Sequence, residues 1–171
     1  MTPKLDSDNV LTDQENLVII NFKMLGTVHM LSGAAIGKMI GAPELTIPLA
    51  FLSHFILDAI PHYDTPGITD YNEHGITKKN IGELLVKGSE PVFGIILTII
   101  LAYQNPNLFL PILLGAFFAV FPDILEFLMR EFRLNKAIKF LERFHNNSKN
   151  NFLGAAIQIV ICIISTTIVL L

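Results

Sequence analysis

The apolar positions of this chain fall into five long runs, and polar residues collect between them. The runs predict helices over about 24–40, 43–60, 90–103, 108–129 and 152–171. They are continuous rather than alternating, which fits membrane helices and not the strands of an outer-membrane barrel. The third run is short, and a start as early as 81–86 stays open. Gly41-Ala42-Pro43 and Gln104-Asn105-Pro106-Asn107 are tight connections, so the first two and the next two runs read as helical hairpins. Segment 135–145 has a different pattern. Ala137, Ile138, Leu141 and Phe144 share one helical face, which predicts a helix lying on a membrane surface.

Residues 1–23 open with Asp6, Asp8, Asp13 and Glu15 and carry only a short apolar patch at 17–20. They lack the basic start, long apolar core and small-residue cleavage site of a signal peptide. They read as a disordered extension, which leaves 24–171 as a single helical membrane domain. The expected fold class is therefore all-α. It is a polytopic membrane protein with about five transmembrane helices and one interfacial amphipathic helix.

Composition supports that class. Of the 171 residues, 51% are hydrophobic and 16% charged, and the mean hydropathy is +0.54. Those values are too apolar for an ordinary soluble domain. A net charge of -3 offers no basic footprint for nucleic acid. Cys162 is the only cysteine, so there is no intrachain disulfide and no cysteine-based zinc site.

The charges set an orientation. Lys4, Lys23, Lys78, Lys79, Lys87, Arg130, Arg133, Lys136, Lys139, Arg143 and Lys149 all fall before the first run or in the two longer loops. Five spans put those regions on one side. Lys38 lies towards the other side, where its long stem lets it snorkel. The positive-inside rule places the N-terminus and both long loops in the cytoplasm.

The chemistry gathers in Ser53-His54-Phe55-Ile56-Leu57-Asp58-Ala59-Ile60-Pro61-His62-Tyr63-Asp64. His54, Asp58 and His62 recur every fourth residue and share a helical face. Pro61 and Asp64-Thr65-Pro66-Gly67 then stop the helix. Imidazole and carboxylate converging from one face are metal ligands by type. Ionisable groups inside a membrane helix are costly and mark function. His29, His54, Asp58, Glu90, Asp123 and Glu126 all fall within roughly 10 Å of the same boundary at a helical rise. His62, Asp64 and His145 lie at or just outside it.

That places five carboxylates, Asp58, Asp64, Glu90, Asp123 and Glu126, near one level, with no Arg or Lys inside the spans there. One or two divalent cations would neutralise them. Mixed nitrogen and oxygen donors suit Zn²⁺, Mn²⁺ or Fe²⁺ better than Mg²⁺ or Ca²⁺. The expected metal ligands are His29, His54, Asp58, His62, Glu90, Asp123 and His145, with Asp64 and Glu126 as catalytic carboxylates. Plainer roles stand beside these. His29 precedes Gly33 and Gly37, a small-residue face that admits a neighbouring helix. Asp123 follows Pro122 and fits a capping role at a kink. Glu126 has Arg130 four residues on. Glu90-Pro91 fits a helix start.

These residues carry a resemblance. Thr27-Val28-His29 with Gly33 and Gly37, then a glycine-proline turn, then the Ser53–Asp64 run, is similar to the membrane-bound, metal-dependent hydrolases related to the LexA-regulated inner-membrane family. Gly115 through Phe121-Pro122-Asp123 resembles the glycine and Pro-Asp element of that group, and His145 falls where a late histidine is expected. The chain lacks a His-Arg-Gly-x-Thr-His-Ser element, which marks a divergent branch. The resemblance spans about 24–145 and implies a multi-span bacterial or archaeal inner-membrane protein with metal-supported hydrolase activity.

Three functions follow. The first is a metal-dependent hydrolase at the cytoplasmic leaflet, acting on an amphiphilic substrate such as a lipid-linked phosphoester. The metal would activate water and Asp64 or Glu126 would serve as general base. The second is a metal-ion or proton-coupled carrier, which normally needs a midplane site and polar paths to both sides. The third is a non-catalytic scaffold whose metal ties helices together.

Overall fold

The computed structural model describes residues 25–62, 81–132 and 151–171. The extension at 1–23, Asp64, the segment 135–145 and His145 lie outside these described residues. Among the described residues the regular elements are five α-helices: α1 (Gly26–Ile40), α2 (Pro43–Ala59), α3 (Ile81–Tyr103), α4 (Phe109–Glu131) and α5 (Asn151–Leu170), with a 3₁₀ turn Pro106–Leu108 before α4. The fold is all-α.

Local chemistry explains the ends. Gly41 adopts φ 69°, a left-handed conformation that costs glycine nothing. Its N–H closes α1 on the Gly37 carbonyl at 2.9 Å. Pro43 then opens α2, where a missing N–H costs nothing. At the other end of α2, Pro61 forces Ile60 out of helical geometry, to φ -78° and ψ 135°. In α3 the outcome differs from the sequence pattern. Glu90-Pro91 does not start the helix. Pro91 lies inside it, and the helix begins by Ile81.

The membrane-crossing count is also lower than expected from the runs. Among the described residues two helices are long and apolar enough to cross a membrane, Pro106–Glu126 and Phe152–Leu170, with mean hydropathies of 2.2 and 2.4. Gly88–Tyr103 is a shorter apolar helix. The reason is length. α1 has 15 residues and α2 has 17, so at about 1.5 Å per residue they rise only about 22 and 25 Å. A typical hydrocarbon core is about 30 Å thick.

α1 is the hub and packs against each of the other four helices. α2 packs on α4, and α3 packs on α4 and α5. α1 and α4 cross at almost bare backbone. A methyl group on Gly33 would collide with the Gly115 carbonyl, and one on Gly37 with the Pro111 carbonyl. The Gly33/Gly37 face thus admits α4, as its small residues suggest.

The main apolar core fills the half of the bundle near the short turns. It joins Leu31 and Ala34 of α1, Leu101 of α3, Ile112 of α4 and Val169 of α5. At that end Asn105 ties three helices together. Its Oδ1 accepts from Lys38 Nζ, and its Nδ2 donates to the carbonyls of Leu101 at 2.9 Å and Val169 at 3.1 Å. A smaller cluster around Val28 and Leu57 occupies the other half. The outer faces are apolar: Ile56 on α2, Phe93 on α3, Phe117 on α4 and Ile163 on α5 are between 48% and 66% exposed.

Candidate metal centre

The polar groups lie in the half of the bundle away from the short turns, at the start of α1 and the ends of α2 and α4. His29 is fully buried, and His54 and Asp58 are each 3% exposed. Asp58 lies between the two histidines. Its Oδ1 is 3.3 Å from His29 Nε2 and its Oδ2 is 3.3 Å from His54 Nε2. The second contact is the i, i+4 pair that the sequence places on one face of α2. Asp123 Oδ1 of α4 approaches His54 Nε2 from the other side at 3.7 Å. Its side chain is 28% exposed, so the group opens outward on that side.

The Gly33–Gly115 crossing makes this meeting possible. It brings α4 close enough for the Ala119 carbonyl, one turn past Gly115, to lie 2.9 Å from His54 Nδ1. Asp123 follows one further turn along the same helix.

His29, His54 and Asp123 each offer a ligand atom, and the three atoms lie within 4.8 Å of one another. Donors bonded tetrahedrally to one ion at about 2.1 Å lie about 3.4 Å apart. Closing the group on an ion therefore takes shifts of up to about 1.4 Å between donors. Two features of the donor set fit an ion. Nδ1 of buried His29 has no hydrogen bond and its Nε2 has only the 3.3 Å approach of Asp58 Oδ1, and an unsatisfied buried polar atom costs about 1–3 kcal/mol. The His29 and His54 rings also stack with centroids 4.3 Å apart and planes inclined by 29°. Stacked in this way, the two rings face one carboxylate, Asp58, each through its Nε2. A His29/His54/Asp123 group could thus hold a metal ion.

The other expected residues are placed as follows. His62 is fully buried, and its Nδ1 lies 2.8 Å from the Ile60 carbonyl, which can only accept. Glu126 is buried at 7% exposure, one turn beyond Asp123. Neither belongs to the three-residue group. Glu90 is directed elsewhere. Its Oε1 accepts the Thr27 amide at 2.7 Å and its Oε2 the Gly26 amide at 3.2 Å.

One participant had no signal in the sequence, the Ala119 carbonyl, because a backbone acceptor has no residue type. Ser32 and Ser165, whose hydroxyls are 3.3 Å apart between α1 and α5, and buried Gln158 were also not singled out. Their only sign was polarity within apolar runs.

The geometry defines an all-α protein with a His/His/Asp group, its two histidines buried, that could hold a metal ion. No known protein family matches the chain, and no curated protein or solved structure is similar to it.

Proposed function

We propose that the chain is a membrane-embedded, metal-dependent hydrolase, a divergent relative of the inner-membrane family its motifs resemble. On this reading all five helices lie in the bilayer with the N-terminus in the cytoplasm, and the site lies towards the cytoplasmic leaflet. One observation carries it: buried nitrogen and oxygen donors converge inside a bundle whose outer faces are apolar. That is the reverse of a soluble domain, where large exposed apolar surfaces are rare. α1 and α2, too short to cross alone, are held within the bundle by the longer helices.

His29, His54 and Asp123 would hold the ion, with Asp58 between the histidines. A divalent ion in such a site supplies Lewis acidity and lowers the pKa of water. Glu126, one turn from Asp123, would take a proton from that water, and Asp64 is the alternative base. The partial exposure of Asp123 gives a substrate an approach. An amphiphile with its tail in lipid and a phosphoester at the head fits a site beside the lipid boundary. Lys136, Lys139 and Arg143 add cationic groups for an anionic head group.

The test is phosphate release from a panel of lipid-linked phosphates by metal-loaded protein in nanodiscs. The expected result is turnover that a chelator and Asp58→Asn both abolish. No chelator-sensitive turnover at full metal occupancy overturns the reading. The near-complete burial of His29, His54 and Asp58 favours a second one, a metal that only ties α1, α2 and α4 together. In that case chelation lowers the melting temperature and no substrate turns over.

A further inference from the structure

Glu90 is the carboxylate that the metal group leaves out, and it is tied to α1 by three hydrogen bonds. Its two oxygens accept the amides of Gly26 and Thr27 at 3.2 and 2.7 Å. The Thr27 hydroxyl donates back to the Glu90 carbonyl at 3.1 Å. Those amides belong to the first turn of α1, where helix donors lack intrahelical partners and a negative charge is favoured. No side chain caps α1 from the N-cap position, Leu25. Gly94, one turn along α3 from Glu90, lets the two helices close. A Cβ there would lie 2.7 Å from Thr27 Oγ1 and 3.0 Å from Met30 Sδ.

His29 occupies the same first turn, two residues beyond Thr27. Its Nε2 faces Asp58 Oδ1 at 3.3 Å and its ring stacks on His54, contacts it reaches only where the backbone of that turn is held. α3 supplies none of the three grouped donors, yet through Glu90 it fixes the turn that carries one of them.

We propose that Glu90 is a positioning residue: it clamps the first turn of α1 so that His29 meets His54 and Asp58. This rests on the metal-centre reading above. Glu90 acts through His29 and does not touch the ion.

The experiment is a double-mutant cycle on cobalt(II) affinity with the full chain in detergent. Glu90→Gln keeps size but turns one acceptor into a donor facing an amide. Alone it is expected to weaken cobalt binding about 10–100-fold, the usual effect of losing an outer hydrogen-bond partner. In a His29→Ala background the same change is expected to have no further effect, because the residue it acts through is gone. An equal loss in both backgrounds, or no loss in either, overturns the proposal. The first result would make Glu90 a ligand or a general stabiliser.

A second arm needs no metal. In the metal-free protein, Glu90→Gln is expected to shift the ring nitrogen resonances of His29 and leave those of His62 unchanged. Unchanged His29 resonances overturn the proposal. If the wild type takes up no cobalt while this shift is seen, the metal reading fails and the clamp stands. Should Glu90→Gln not fold, Thr27→Val, which removes only the hydroxyl bond, takes its place in both arms. Its expected loss is about two- to threefold.

Discussion

His54 Nδ1 lies 2.9 Å from the backbone carbonyl of Ala119, across the contact between α2 and α4. A carbonyl has no proton to give, so Nδ1–H is the donor. The other nitrogen, Nε2, then faces Asp58 and Asp123. Metal-bound histidines commonly have this second bond, which fixes ring orientation and tautomer.

The tautomer is testable directly. Nitrogen-15 spectra are expected to show His54 Nδ1 protonated both without and with metal. Adding zinc or cobalt should perturb Nε2 only. A metal-induced change from protonated to coordinated at Nδ1 would contradict the geometry.

Metal content of purified variants tests the donor set. His54→Ala and His29→Ala are each expected to lower bound metal, and Asp123→Asn should lower it through loss of the offsetting charge. Asp58→Asn keeps the shape between the two histidines but removes the charge, and should weaken binding as well. Wild-type stoichiometry and affinity in folded His54→Ala would exclude the site.

These outcomes also show how much the sequence discloses. Helix ends were legible because Gly41, Pro43 and Pro61 act locally, through φ preference and a missing N–H. The His54–Asp58 pair was legible because i, i+4 spacing is fixed by helix geometry. Gly33 and Gly37 announced a close crossing, but not that its partner would be Gly115. Glu90 shows the limit most clearly. From sequence it was either a ligand or a helix start for its own segment. In the fold it caps a different helix, at |i−j| of 63 and 64, and only tertiary packing sets such a pairing. That only two helices among the described residues are long and apolar enough to cross alone was hidden for a similar reason. Hydropathy reports apolar length, while α1 and α2 are cut short by their turns.

Asn105 offers a test of the opposite end. It receives Lys38 and donates to Leu101 and Val169. Asn105→Leu leaves the Lys38 ammonium and the Val169 carbonyl without these partners, at an expected cost of about 1–3 kcal/mol. Denaturant unfolding in detergent measures it. Metal affinity should stay unchanged, since the group lies in the other half of the bundle. Loss of metal binding without loss of stability would contradict this separation.

The proposed orientation is tested with a membrane-impermeant thiol reagent on intact cells in a Cys162→Ala background. Asn107→Cys, in the short turn before α4, should label from outside. Lys149→Cys should label only after permeabilisation. Labelling of position 149 from outside would reverse the topology inferred from the lysines and arginines.

The crossing of α1 and α4 gives the last prediction, because it links packing to the metal group without touching a donor. A methyl at Gly33 would meet the Gly115 carbonyl, and one at Gly115 would meet the Gly33 carbonyl. In each case the obstacle is backbone, which cannot rotate aside as a side chain would. Gly33→Ala and Gly115→Ala must therefore push the helices apart, at an expected cost of about 1–3 kcal/mol or more. That shift takes Ala119 and Asp123 away from His54, so metal affinity should fall as well. Gly82→Ala is the control, since nothing lies within 4 Å of a Cβ there. It should leave affinity unchanged and raise stability by up to about 1 kcal/mol through helix propensity. Thermal melts and metal titrations of the three variants read both effects. If Gly33→Ala behaves like Gly82→Ala in both measurements, the helices do not cross at these glycines, and the route by which Asp123 reaches His54 is wrong.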